Sequence, residues 1–248
     1  SDGTDISWGS AGASTMNGLT DVSMDITNFT DGLLIQPNSD GSAPTTGTLD
    51  AANYNTGIGK STFAALTTGD YNTAYGYNAM AANTGGATNT SVGAATLTAN
   101  TTGSQNIAVG YLALTTNTTG ADGVAIGYRA LTANISGANN VAVGRDSLRA
   151  NTTADNNIAI GHSALAANTT GTRNIAIGNN ANDLADTEDD NIAIGYNAMT
   201  AQIAGASQNI AIGSYSLDAL TSGDGNVAVG HNALTANTTG ELSTAVGY

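Results

Sequence analysis

The sequence predicts an all-β fold, a parallel β-solenoid or β-roll of twelve 17-residue repeats over residues 55–248, behind a small irregular segment at residues 1–54. The first observation is a glycine that returns at Gly59, Gly76, Gly93, Gly110, Gly127, Gly144, Gly161, Gly178, Gly195, Gly213, Gly230 and Gly247. Every step is 17 residues except Gly195 to Gly213, which is 18. A unit this short fits a solenoid, since propeller blades need about forty residues and helical or leucine-rich repeats twenty or more. The second observation is that apolar residues alternate just before that glycine, as Ile107 and Val109, Ile158 and Ile160, or Ile192 and Ile194, which is the period of a strand. The third is bulk: 248 residues carry 32 Gly, two Phe and 5% aromatics, too little volume for a thick core.

Each coil opens on an asparagine, at Asn72, Asn89, Asn106, Asn140, Asn157, Asn174, Asn191, Asn209 and Asn226, whose amides are placed to stack into a ladder. The strand follows. Its middle residue is tiny, as in Ala108, Ala125, Ala142, Ala159, Ala176, Ala193, Ala211 and Ala228, so a second sheet is expected to close on that alanine face. Four places after the glycine comes a large residue (Phe63, Met80, Leu97, Leu114, Leu131, Leu148, Leu165, Met199, Leu217, Leu234), expected to form a second strand and the opposing wall of a narrow roll. A helix through Ala-Leu-x-Ala-Asn is too short to hold alone. Asn-Thr-Thr-Gly at 100–103, 117–120, 168–171 and 237–240 supplies the corner, where Asn and Gly tolerate turn geometry. At a strand spacing of ~4.8 Å, eleven steps make a rod of roughly 50 Å. One such coil cannot offset its own ordering entropy, so stability must come from stacking and from association with other copies, making a homo-oligomer the expected partner.

The charge narrows the function classes. Five Lys plus Arg against nineteen Asp plus Glu give −14, which argues against nucleic acid and anionic membrane surfaces. No run of eighteen apolar residues is present, so no membrane insertion is expected. The absence of cysteine removes a disulfide framework. Residues 1–54 stand apart, with Trp8, Phe29, both prolines (Pro37, Pro44), seven Asp and no Lys or Arg. Two roles are open for them: a cap on the solenoid end, or a docking segment for a larger particle or a neighbouring subunit. Tyr248 falls inside a repeat, so the natural polypeptide is expected to continue or to have been cleaved there. A receptor-binding tip or a chaperone would then lie beyond it.

Few residues point to chemistry. Asp183, Asp186, Glu188, Asp189 and Asp190 crowd one corner and are oxygen ligands of the kind Ca²⁺ takes, without EF-hand or calcium β-roll spacing. The competing reading is a solvated acidic loop, and no other cofactor is expected. His162 and His231 follow the repeat glycine four coils apart, about 19 Å at the usual strand spacing, so they are expected at the surface or axis rather than in one site. No nucleophile motif is present, and no enzymatic activity is expected. Tyr77, Tyr111, Tyr128 and Tyr196 share the post-glycine position with Lys60 and Arg145, giving either a glycan-binding stripe or packing between coils or chains. The sequons at Asn28, Asn89, Asn100, Asn117, Asn134, Asn151, Asn168 and Asn237 are turn chemistry in a bacterial or viral context.

The pattern Asn-[Ile/Val/Thr]-Ala-[Ile/Val]-Gly-x-x-Ala-Leu resembles the head repeats of trimeric autotransporter adhesins of the YadA type. Copies such as Asn157 to Gly171, Asn-Ile-Ala-Ile-Gly-His-Ser-Ala-Leu-Ala-Ala-Asn-Thr-Thr-Gly, are more similar still to the repeat arrays of bacteriophage tail fibres. The resemblance covers residues 55–248. It implies a homotrimer of left-handed parallel β-rolls with the short strands facing the three-fold axis. It implies a structural and adhesive fibre on a virion, bound to other fibre subunits and to a host cell-surface receptor such as a glycan. The alternative is a bacterial surface adhesin, whose head repeat is shorter and which carries a stalk and membrane anchor not seen in this stretch. A remote third class is ice binding, prompted by Thr101-Thr102, Thr118-Thr119, Thr152-Thr153, Thr169-Thr170 and Thr238-Thr239.

Overall fold

The computed structural model describes residues 22–23, 33–35, 52–201 and 205–248. Its elements in chain order are β1 (Val22–Ser23), β2 (Leu33–Ile35), β3 (Thr56–Ile58), β4 (Thr73–Tyr75), β5 (Thr90–Val92), β6 (Ile107–Val109), β7 (Val124–Ile126), β8 (Val141–Val143), β9 (Ile158–Ile160), β10 (Ile175–Ile177), β11 (Ile192–Ile194), β12 (Ile210–Ile212), β13 (Val227–Val229) and β14 (Thr244–Val246). They form one sheet in chain order. β1 pairs antiparallel with β2, and every pairing from β2 onward is parallel. Trp8, Phe29, Pro37 and Pro44 of the expected cap or dock lie outside the described residues.

From β3 to β14 the chain is the expected parallel β-solenoid, one short strand per coil. Equivalent residues sit side by side, Ile175 beside Ile192 and Ala176 beside Ala193. The 18-residue step does not shift the register, because Ile192 still faces Ile210. Its extra residue is absorbed outside the strand.

The orientation of the strands corrects the expectation for the alanine face. Ala108, Ala125, Ala142, Ala159, Ala176, Ala193, Ala211 and Ala228 are fully buried and belong to the roll's own core. Ile and Val point outward. The interior is too thin for two layers of large side chains, so the strand contributes the small layer and Phe63, Met80, Leu97 and the later leucines contribute the large one.

The opposing wall is also not a strand. It is a run of turns in which the residues two and four places after each glycine have positive φ, for example Arg129 (56°) and Leu131 (51°), or Asp146 (57°) and Leu148 (46°). Left-handed backbone is unfavourable for leucine. It is held because each coil bonds to its neighbours, with Leu131 N–H donating to Ser147 O (3.1 Å) and Arg129 N–H to Tyr111 O (3.0 Å).

Two asparagine ladders complete the interior. In the expected one, the strand-opening side chains accept from the next coil, as Asn174 N–H to Asn157 Oδ1 (2.9 Å) and Asn191 N–H to Asn174 Oδ1 (3.0 Å). Their amides donate to corner carbonyls, as Asn157 Nδ2 to Gly171 O (2.8 Å). The second ladder, read from sequence only as turn chemistry, runs through Asn83, Asn100, Asn117, Asn134, Asn151 and Asn168, each Nδ2 donating to the preceding Oδ1 at 2.8–3.2 Å. The sequon asparagines from Asn89 to Asn168 are therefore buried with their amides engaged.

Candidate functional site

The feature that calls for a partner is the outward face of the sheet. Along β6 to β13 both outward positions of every strand are Ile or Val, and Ile107, Ile126, Ile160, Ile177 and Ile212 are 37–42% exposed. Eight strands at ~4.8 Å make an apolar stripe about 34 Å long. Soluble monomers rarely leave so long an apolar patch in water. At β3 to β5 the first outward column becomes Thr56, Thr73 and Thr90, and Tyr75 stands in the second; at β14 it becomes Thr244. The stripe thus has polar ends.

Two edges flank the face. On one edge stands the residue before each inward asparagine, held at φ near +60°, as in Tyr71 (58°), Asp122 (56°) and Asp190 (61°). On the other stands the residue after each repeat glycine, including Tyr77, Tyr128, Arg145 and Tyr196. There Tyr111 and Tyr128 stack on each other, with centroids 5.9 Å apart, and the Arg145 guanidinium lies 5.5 Å from the Tyr128 ring. Those ring faces are occupied by coil-to-coil packing, which weakens a sugar-stacking role for this pair. His231 sits between Tyr215 and Tyr248, and His162 is exposed on the same edge.

The repeat glycines define how close the coils come. Gly59 through Gly247 have φ between +124° and +143°, and a Cβ on Gly144 would lie 2.4 Å from the Gly161 carbonyl oxygen. Only glycine meets both demands.

The acidic corner is built differently from a cation cage. Glu188 is buried and occupies the place that Gly171 holds one coil earlier. Its Oε2 accepts from Asp186 N–H (2.7 Å) and Thr187 N–H (2.9 Å), and its Oε1 from Gly205 N–H (2.8 Å). In regular coils the corner N–H finds a carbonyl of the next coil, as Thr152 N–H does on Thr169 O. Where the longer coil follows, the carboxylate of Glu188 takes over that duty. Asp189 accepts from Thr172 N–H (2.6 Å) and Thr172 Oγ1 (2.9 Å), Asp186 accepts from Thr169 Oγ1, and Asp190 forms a two-point pair with Arg173 (2.6 and 2.8 Å). The Arg173 hydrogen bond holds the Asp190 carboxyl below its ordinary value, while burial pushes Asp183 up. Among the described residues, no group of three or more His, Asp or Glu is placed to hold a metal ion.

The same coil carries a defect in the core. Asn182 stands in the leucine column, fully buried, with neither side-chain atom bonded, and Ala185 ends the second ladder so that Asn168 Oδ1 has no donor. Asn182→Leu is expected to raise stability by about 2–4 kcal/mol, from a removed orphan amide and a restored apolar contact. A higher urea midpoint checks it; no change would mean that a buried water already serves Asn182.

The first threonine of several pairs is likewise an internal fastener. Thr101, Thr118 and Thr152 each donate Oγ1 to the backbone carbonyl of the following coil at 3.0–3.1 Å, which takes this first column of hydroxyls out of the free array that ice binding requires. The Ile203-Ala204 interruption of that array lies outside the described residues. No helix among the described residues is long and apolar enough to cross a membrane.

These features define a class: a parallel β-solenoid repeat protein, an architecture typical of structural and adhesive chains. In comparison with known proteins, no family model, no curated protein and no solved structure matches this chain.

Proposed function

We propose that this chain is the shaft of a homotrimeric fibre, a non-enzymatic structural and adhesive part of a virion appendage of the tail-fibre kind, which holds a host-binding element at a distance. The uncovered Ile/Val stripe of β6 to β13 carries this reading. Three rolls with their stripes turned inward around one axis remove the whole apolar face from water at once. The repeat's similarity to phage-fibre arrays supports the same assembly, with left-handed rolls. Committed carboxylates and dispersed histidines support a role without catalysis.

Light scattering of the soluble chain tests it, with a mass near three times 24.5 kDa expected at every working concentration. Ile177→Lys, at an outward position that is 37% exposed in the single chain, should give a folded monomer. A monomeric unsubstituted chain would overturn the trimer. Antibody against the chain should then label virus particles; labelling of bacterial cell surfaces instead would move the reading to a surface adhesin.

A further inference from the structure

We propose that the two edges of the outward sheet face form the seams between subunits, with the pre-asparagine edge of one copy meeting the post-glycine edge of the next copy at the same coil. The proposal rests on the trimeric reading. In a closed ring of parallel copies each seam joins unlike edges, because rotation about the axis carries one edge toward its neighbour's opposite edge. Closure also forbids an axial step, so with the short strands running perpendicular to the axis coil faces coil at equal height. The register of the seam then follows, and the side chains facing each other can be read from the sequence.

The pairs so formed are chemically matched. Each acid on the first edge meets a phenol on the second, Asp122 facing Tyr128 and Asp190 facing Tyr196, where the tyrosine O–H donates to the carboxylate. Arg173, the cation of the first edge, meets Asn179, an acceptor. The aromatic Tyr71 meets Tyr77, each more than half exposed in the single chain, and Leu242 meets Tyr248. Tyr54, stacked on Tyr71 at 4.8 Å, faces Lys60. No pair sets like charges together. A one-coil slip would bring Arg173 against His162 in one direction and would set Asp122 against Arg145 in the other, so the geometry of the ring, rather than side-chain chemistry alone, selects the same-coil register.

The chain has no cysteine, which makes the test clean. Gln105→Cys with Tyr111→Cys places thiols on the two edges of one coil. Across three strand residues at about 3.3 Å each, and their flanks, the edges of one chain lie farther apart than the ~7 Å a disulfide spans, so a bond can form only between copies. Mild oxidation of the full chain, its native mass first measured, should convert it to a covalent trimer on non-reducing gels. A second same-coil pair, Asn156→Cys with His162→Cys, should do the same if the first variant folds poorly. Gln105→Cys with Arg145→Cys, offset by two coils or roughly 10 Å, should leave monomers. A native trimer without same-coil crosslinks, or with crosslinks from the offset pair, would overturn the seam and leave the trimer standing. A native monomer would overturn both.

Discussion

Gly144→Ala should destabilise the shaft by about 3–6 kcal/mol, combining the strain of a side chain at positive φ with overpacking against a backbone that cannot withdraw. Gly144 has φ +133°, and the added Cβ would press on Gly161 O at 2.4 Å and Gly161 C at 2.7 Å. Both neighbours belong to the ladder that holds the coils together. The expected readout is a lower urea midpoint, with amide exchange of the adjacent strands β8 and β9 accelerated most. Gly205→Ala supplies the comparison: its φ is +82°, but nothing lies within 4 Å of the added Cβ, so it should cost only the conformational strain, about 1 kcal/mol. Equal losses at the two sites would mean that close coil approach does not set the glycine requirement.

Asn134→Ala should cost about 3–5 kcal/mol by breaking both directions of a buried ladder. Asn134 Nδ2 donates to Asn117 Oδ1 (2.8 Å) and Gly137 O (2.9 Å), while its Oδ1 accepts from Asn151 Nδ2 (2.8 Å). Alanine orphans groups on both neighbouring coils, none of which reaches water. Such a break is already present among the described residues, where Ala185 leaves Asn168 Oδ1 without a donor. Asn168→Ala, at that existing terminus, should therefore cost less than Asn134→Ala. Hydrogen-exchange protection of the corners at 117–120 and 151–154 measures the difference, and an equal loss at both sites would show that the ladder bonds act independently.

The period, the strand positions and the glycine column were legible because they depend on spacing. Which strand face is interior was not read correctly, because alternation alone separates two faces without saying which is dry. The signal was present: Asn106 and Ala108 are two residues apart and share a face, and an amide ladder holds only where water is excluded. The turn-built wall left no local trace, since leucine avoids positive φ and adopts it here under bonds from adjacent coils. Glu188 looked like one of five surface acids. Counting 17 residues on from Gly171 places it in a buried column, where a carboxylate has to accept hydrogen bonds rather than stay in solvent. The outward Ile/Val face became visible as a partner-seeking surface only once the alanines were assigned to the core.

Equivalent residues lie side by side along the sheet, as Val141 does beside Ile158 and Ile158 beside Ile175. A tandem duplication or deletion of 17 consecutive residues within the regular coils from β3 to β10 therefore changes the rod by one whole coil and keeps the strand pairing and glycine contacts in register. In a homo-oligomer, all copies inherit the change together from one gene. Reach thus becomes a heritable quantity that moves in increments of about 4.8 Å, and recombination between near-identical repeats can lengthen or shorten it without passing through a misfolded intermediate form.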